Sequence, residues 1–358
     1  VLLFLTMAFV LQSSRRFFTL TLVSAGSTDA IRRHRSVSMQ TSKAPDVLII
    51  GGTGLMGAPT ARRLQALGHR VKIMSRGTGS GIGSQGNRPE QADCEMIVCD
   101  REDKDAFHDI LSSSECPRIV VDFTAMRPDH IGEVIKAHKQ RRLEHYVFIS
   151  TNMVYPGGIE DMDITGLPQP VPETAADLDS ADSAPDTYGG NKLKCEALLR
   201  RALKDDGLPF TTLRPPAVVG PGCDDRHERL QRLVADLPAL PPRSSKRPPT
   251  VNPGLFRVAH SSHVAEVVAA VVAHGREVQG EAFNVASSTS LTLQDYVAAI
   301  AQHLGRKTPE VPDDPSYRNY ERQGVLDISK AQRLLNFEGS PASKWMGETV
   351  KWHAAILG

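Results

Sequence analysis

An α/β fold with a doubly wound parallel sheet is predicted by three features of this chain. Short apolar runs alternate with helical stretches along most of its length. The first run, Val47–Ile50, opens directly into Gly51-Gly52-Thr53-Gly54-Leu55-Met56-Gly57, and a Tyr-x-x-x-Lys pair, Tyr188 and Lys192, follows downstream. Strands buried on both faces read as continuous apolar runs and are joined by helical crossovers, which is the pattern seen here.

Residues 58–67 continue from the glycine loop with apolar positions at helical spacing. Pro59 falls in the first turn, where a missing N–H costs little. A second run at 71–74 follows Gly68, and further runs stand at 96–99, 119–123, 146–149, 210–213 and 283–285. Between Tyr155 and Tyr188 the chain carries Glu160, Asp161, Asp163, Glu173, Asp177, Asp179, Asp182 and Asp186 without a Lys or Arg, among many prolines and glycines. That composition predicts an irregular, solvated loop whose length suggests a flap over the site. Its acids lack a calcium-loop pattern, and no metal is expected. After Leu213 the regularity breaks at Arg214-Pro215-Pro216, and prolines and basic residues, including Arg243, Lys246 and Arg247, dominate to about residue 256. Residues 263–274 read as an Ala/Val-rich helix, 281–286 as a strand, and 293–304 and 328–335 as further helices. The expected organisation is a dinucleotide-binding domain over 46–214, completed by about 257–288, with a smaller lobe from 215–256 and 289–358.

The chain has 358 residues, 40% of them hydrophobic, so it can bury a large core. A net charge of +1 supplies no global field to recruit nucleic acid or a membrane. Cys94, Cys99, Cys116, Cys195 and Cys223 are scattered with no CxxC, which suits a reducing compartment and argues against disulfides and structural zinc. Residues 1–45 hold Arg15, Arg16, Arg32, Arg33, Arg35 and Lys43 against the single acid Asp29, among many serines and threonines. They read as an organelle transit peptide, plastid ahead of mitochondrion; a segment without an address would leave the protein cytoplasmic. The apolar start, residues 1–11, is too short to span a bilayer, and no stable membrane insertion is expected.

The glycine loop carries the first piece of chemistry. A dinucleotide pyrophosphate can sit on a helix N-terminus only where no side chain blocks the backbone N–H groups. Gly51 is expected to make the tight turn, Gly54 the close approach and Gly57 the helix–sheet contact, with Thr53, Leu55 and Met56 completing the cradle. The residues after the second run choose the cofactor. An acid there would meet an NAD ribose, but Ser75 and Arg76 offer a hydroxyl and a planar fork for an added phosphate, which favours NADP(H) over NAD(H). Ligands in such sheets bind beyond the strand C-termini. That rule nominates Asp100, for an adenine amino group, together with its neighbour Arg101. It also nominates Ala125 past the fourth run, Thr151 past the fifth and Pro215 past the sixth. A solvated Arg76 and a plain loop role for Asp100 are the competing readings.

Tyr188 and Lys192 stack one turn apart on a helix. A tyrosine with a pKa of about 10 is a poor base at neutral pH, and a downward shift of about 3 units needs roughly 4 kcal/mol of phenolate stabilisation. A neighbouring ammonium and the positive charge of an oxidised nicotinamide can supply it. Thr151 is then expected to orient the substrate oxygen, Tyr188 to exchange its proton, and Lys192 to serve both the phenol and the cofactor.

These pieces resemble the extended short-chain dehydrogenase/reductase family, the NAD-dependent epimerase/dehydratase group, over residues 46–354. The matching segments are the glycine loop, Ser-Thr-Asn-Met-Val-Tyr at 150–155, Tyr-Gly-Gly-Asn-Lys at 188–192, Leu-Arg-Pro-Pro-Ala-Val-Val-Gly-Pro-Gly at 213–222 and Phe-Asn-Val at 283–285. The resemblance implies a Rossmann core, a mostly C-terminal substrate lobe, often a homodimer, and in many members a nucleotide-sugar substrate. Departures from the family pattern narrow the activity. Asn152 and Met153 replace the Asp-Glu of dehydratases, Ala217 an Asn, and His263 an acid, while the late Arg-x-Gly-Asp segment is missing around Gln323-Gly324-Val325. The resemblance thus implies an oxidoreductase or epimerase, formally an isomerase, acting on a small secondary alcohol or ketone, with a nucleotide sugar as one candidate. Ser75-Arg76-Gly77 and Asp100-Arg101 are also similar to the atypical branch that contains chloroplast stem-loop-binding proteins. That likeness implies RNA as a partner in the alternative reading.

Overall fold

The computed structural model describes residues 44–77, 94–222, 254–311 and 321–357. Residues 1–43, most of the proposed targeting segment, lie outside the described residues, as do Arg243, Lys246 and Arg247.

The strands are β1 (Val47–Ile50), β2 (Val71–Ser75), β3 (Glu95–Val98), β4 (Ile119–Asp122), β5 (His145–Ile149), β6 (Phe210–Arg214), β7 (Val218–Val219), β8 (Ala259–His260) and β9 (Ala282–Asn284). Seven of them form one sheet in the order β3-β2-β1-β4-β5-β6-β9, with every neighbouring pair parallel, and β7 pairs with β8 separately. β1, β4, β5 and β6 are buried at every position, as continuous apolar runs require between two helical layers. The sheet is therefore the expected doubly wound α/β arrangement. The strand order reverses between β1 and β4, which opens a crevice at their carboxyl ends.

The helices are α1 (Gly57–Ala66), α2 (Lys104–Ser112), α3 (Pro128–Gln140), α4 (Gly158–Asp161), α5 (Tyr188–Asp206), α6 (Ser261–His274), α7 (Leu293–His303), α8 (Ser329–Leu335) and α9 (Ala342–Leu357). On one face of the sheet Ala61 and Leu64 of α1 meet Val264, Val267 and Val268 of α6, and Ala331 and Leu335 of α8 join the same layer. On the other face Phe107, Ile131, Val134 and Leu199 pack α2, α3 and α5 together. Tyr296 and Ile300 of α7 pack with Trp345 and Met346 of α9 in a cluster of their own.

Two sequence expectations differ from the structure. α6 begins at Ser261, ahead of position 263, because a pair of histidines caps it: Nδ1 of His260 accepts from the Ser262 amide, and Nδ1 of His263 accepts from the His260 amide. The acidic segment is not a free flap. Asp179, Asp182 and Asp186 pair with Arg200, Arg201 and Lys194 along α5, and Val171 bridges to Leu326. Leu178, Ala181 and Ala184 cover Leu193 and Ala197 beneath it. The basic face of α5 supplied the countercharge that the loop lacks within itself.

Below that segment lies a buried polar chain. Glu196 of α5 accepts from Arg214 at 2.5 Å and from Ser150 at 2.6 Å, while Tyr155 donates to Asn284 at 2.6 Å. Burial alone would lower the Arg214 pKa, and the Glu196 carboxylate more than offsets it, so Arg214 stays charged. Breaking one half of a buried pair strands the other charge. Arg214→Met is expected to destabilise the fold by about 3–5 kcal/mol, read as a lower urea midpoint.

Burial holds His145, His260 and His263 at pKa values of about 4, below the ordinary 6.5. Between those values the unfolded chain binds more protons than the folded one, so stability falls as pH drops from 6.5 towards 4. Urea unfolding at pH 7 and pH 4.5 is expected to show the loss, with His145→Gln removing part of it.

Candidate active site

The glycine loop folds as its spacing requires. Gly51 turns with φ of +81°, donates to the Met74 carbonyl at 2.8 Å and accepts from Gly54 at 3.1 Å. A Cβ on Gly57 would lie 2.2 Å from the Gly51 oxygen, whereas one on Gly54 would meet nothing nearer than that oxygen at 3.5 Å. Gly57 thus lets α1 pack on the loop, and Gly54 leaves the loop open above the helix. No side chain caps the α1 N-terminus. Thr53 and Gly54 are exposed, Leu55 and Met56 half-buried. Thr53, Gly54, Leu55 and Arg62 line a narrow cleft with Pro221 and Gly222, so the chain after β7 reaches this end of the sheet.

Ser75 closes β2, with its hydroxyl accepting from the Gly77 amide at 3.4 Å, and Arg76 beside it is exposed. Asp100 is exposed and caps the Glu102 amide at 3.0 Å. Arg101 turns inward instead. Its Nη1 donates to both oxygens of Asp122 at 2.9 and 3.1 Å and to Thr124 Oγ1 at 2.8 Å, over the Phe107 ring. Its Nε and Nη2 are buried with no hydrogen-bond partner among the described residues. Ala125 is fully buried, and the Pro215 carbonyl accepts from the Asn152 amide at 3.0 Å.

The structure brings Thr151, Tyr188 and Lys192 together. Thr151 follows β5 and accepts from the Met153 amide at 3.2 Å, and Tyr188 is the first residue of α5. Thr151 lies close enough to the Tyr188 phenol to act on its pKa. Surrounding protein pushes the Tyr188 phenol above its ordinary pKa while the neighbouring Thr151 pulls the other way, and 47% of the residue still meets solvent, which limits the rise. Lys192 is 1% exposed. Its ammonium donates to the Ala125 and Ile149 carbonyls at 2.7 Å each and sits 5.8 Å from the Tyr188 ring centre. Burial lowers its pKa to about 8.

Several contributors to this geometry gave no obvious sequence signal. Gly189 is one: a Cβ there would lie 2.2 Å from the Met153 oxygen, so only glycine lets α5 approach the Thr151 turn. Its place inside Tyr-Gly-Gly-Asn-Lys was the available clue. Gln323 is another; its side-chain oxygen accepts from Ala217 N at 3.1 Å and from Asn152 at 3.3 Å, linking two of the departures noted in the sequence. Asp122, fully buried at the end of β4, is a third. A broader depression lined by Asp295, Gln302, Arg306 and Lys307 on the α7 side contains none of the three clustered residues. Among the described residues no group of three His, Cys, Asp or Glu is placed to hold a metal ion, and no helix is long and apolar enough to cross a membrane.

A parallel sheet of this order with a glycine loop and a Thr–Tyr–Lys cluster at its carboxyl edge defines a dinucleotide-binding architecture. Residues 47–286 match the NAD dependent epimerase/dehydratase family, and the chain belongs to that family. It is similar to the chloroplast stem-loop binding protein of 41 kDa b of Arabidopsis thaliana, 26% identical over 286 residues that cover 76% of this chain and 67% of that protein. An uncharacterized protein of Sinorhizobium fredii is 24% identical over 239 residues, 60% of this chain and 54% of its own length, so the chain spans about half of that relative. Among solved structures, UDP-glucose 4-epimerase from Brucella ovis in complex with NAD superposes with a TM-score of 0.65 at 18% identity, covering 88% of this chain and 99% of that one. UDP-glucuronic acid 4-epimerase from Bacillus cereus in complex with NAD gives 0.64 at 18%, covering 87% and 100%. These likenesses establish the shared fold.

Gly189→Ala is expected to destabilise by about 1–3 kcal/mol, the range of overpacking, whereas Gly54→Ala is expected to stay within about 0.5 kcal/mol of the parent. Paired urea unfolding curves compare them.

Proposed function

We propose that the protein is a nicotinamide-dependent oxidoreductase or epimerase that exchanges a hydride and a proton with a small secondary alcohol or ketone. The observation that carries this reading is the placement of Tyr188, beside Thr151 and with the Lys192 ammonium 5.8 Å from its ring centre, at the strand ends that also bear the glycine loop. The residues fit a dinucleotide. Gly54 leaves the approach to the uncapped α1 N-terminus open, and Arg101 holds two buried N–H groups without partners at the ends of β3 and β4. Arg76, exposed after β2 with Ser75 and no acid beside it, favours NADP(H) over NAD(H).

When bound, the nicotinamide supplies the hydride acceptor or donor, and its oxidised form adds a positive charge. Thr151 holds the substrate oxygen by hydrogen bond. Tyr188 takes the hydroxyl proton in oxidation and returns it in reduction. The phenol of the protein alone is not activated; a bound oxidised nicotinamide would add its positive charge to that of Lys192 and lower the Tyr188 pKa. Asn152 and Met153 do not offer the acid and base of a dehydration: Asn152 is tied to Gln323, and Met153 is buried.

The family's UDP-sugar epimerase structures make a nucleotide sugar the first substrate class to screen. A second reading, RNA binding, is supported by the likeness to the stem-loop binding protein.

Titration with NADPH and NADH in parallel is expected to give tighter NADPH binding that Arg76→Ala weakens selectively. Tyr188→Phe is expected to keep nucleotide binding and to lower turnover by about 10²–10⁴-fold. No binding of either nucleotide, with salt-sensitive RNA binding that survives Tyr188→Phe, would replace this reading with the second.

A further inference from the structure

We propose that Asp122, held by Arg101, is the positioning residue that fixes Lys192 in place and sustains its positive charge; this rests on the catalytic reading of Lys192 given above. Asp122 ends β4 and is fully buried. A carboxylate in that position must find several donors or become neutral. It finds them: the amides of Thr124 and Ala125 at 2.8 and 2.9 Å, the Thr124 hydroxyl at 3.2 Å, the Tyr146 phenol at 2.9 Å and the Arg101 guanidinium at 2.9 Å. Burial alone would raise the Asp122 pKa. Arg101 and these donors more than offset that, and the carboxylate is ionised.

The two amides matter most. They belong to the turn that leaves β4, and the carbonyl of Ala125 in that same turn accepts from the Lys192 ammonium at 2.7 Å. Asp122 therefore fixes the turn whose next carbonyl, one peptide unit beyond the Ala125 amide, holds the lysine. The lysine's second acceptor, the Ile149 carbonyl, belongs to the neighbouring strand β5. A shift of the Phe123–Ala125 turn would leave the ammonium with one acceptor in a site that water scarcely reaches.

The same groups bear on its charge. Burial disfavours the ammonium most. Cys195 and Glu196 on its own helix and Asp122 from β4 favour it, and Arg101 from the chain after β3 opposes it. Glu196 is already committed to Arg214, and burial pushes the Cys195 thiol up to about 12, so it carries no charge at neutral pH. The rings facing the ammonium, Phe148 at 4.8 Å and Tyr188 at 5.8 Å, belong to β5 and α5. Asp122 is then the full negative charge not already paired through α5, and Arg101 decides how much of it reaches the lysine.

The test is the titration midpoint of Lys192 in the full chain, followed by NMR of biosynthetically incorporated [ε-¹³C]lysine and assigned by loss of the signal in Lys192→Met. The parent is expected near pH 8. Asp122→Asn keeps the shape and an acceptor oxygen but removes the charge, and is expected to lower the midpoint by about one unit. Arg101→Gln removes the cation that opposes the ammonium and leaves Asp122 its two amides and two hydroxyl donors, and the midpoint is expected to rise. A purely structural pair would lower thermal stability in both variants without moving the midpoint in opposite directions. Either folded variant with a midpoint at the parent value overturns the proposal, and if one fails to fold the other still decides. Nucleotide titration of the parent separates the two levels: absent binding removes the catalytic reading, while the midpoints judge the positioning role independently.

Discussion

Parallel strands end with carbonyl groups and side chains pointing into one crevice, and the structure depends on how those ends are tied. Lys192 does this for β4 and β5 with a single ammonium, bonded to the Ala125 and Ile149 carbonyls. Asp122 does it for the turn after β4, and Arg101 carries the tie across to the chain leaving β3. Each group is nearly dry, so each interaction is strong and each unpaired alternative expensive. The same low dielectric that holds the edge together lowers the Lys192 pKa and keeps the Tyr188 phenol protonated in the protein alone. Stability and chemistry are therefore drawn from one set of contacts.

A second buried chain runs beside the first. Ser150 adjoins Thr151 and donates to Glu196, which pairs with Arg214 at the end of β6. Arg214 also donates to the Glu173 carbonyl, and Asn284 at the end of β9 donates its amide to the Glu173 side chain. The acidic segment, which reads as a mobile cover, is thereby anchored at its root by Arg214 and along its length by α5. Burial raises the Glu173 pKa, with the Asn284 amide pulling the other way.

Much of the framework was legible in the sequence for local reasons. Continuous apolar runs such as 119–123 and 146–149 can be satisfied only by strands with cover on both sides, and glycines at 51, 54 and 57 meet constraints imposed within a few residues of themselves. The Tyr188–Lys192 spacing is a property of one helix. Arg101 was nominated beside Asp100 for a ligand, but its main partner is Asp122, on a strand that lies beyond β2 and β1 in the sheet. Neither Asp122 nor Gly189 stood out, because their reasons lie across the sheet and across a loop.

The sequence by itself determined which segments become the strands of the main sheet, where the glycine turn falls and which tyrosine carries a lysine one turn on. Those features follow from periodicity, backbone sterics and neighbours close in the chain. Only the tertiary structure decided which way the charged side chains turn: Arg101 inward to Asp122, the loop acids onto α5, and Lys192 onto two strand-end carbonyls. A charge chooses its partner by distance and by the absence of water, and both are created when crossovers bring remote segments to the same edge of the sheet.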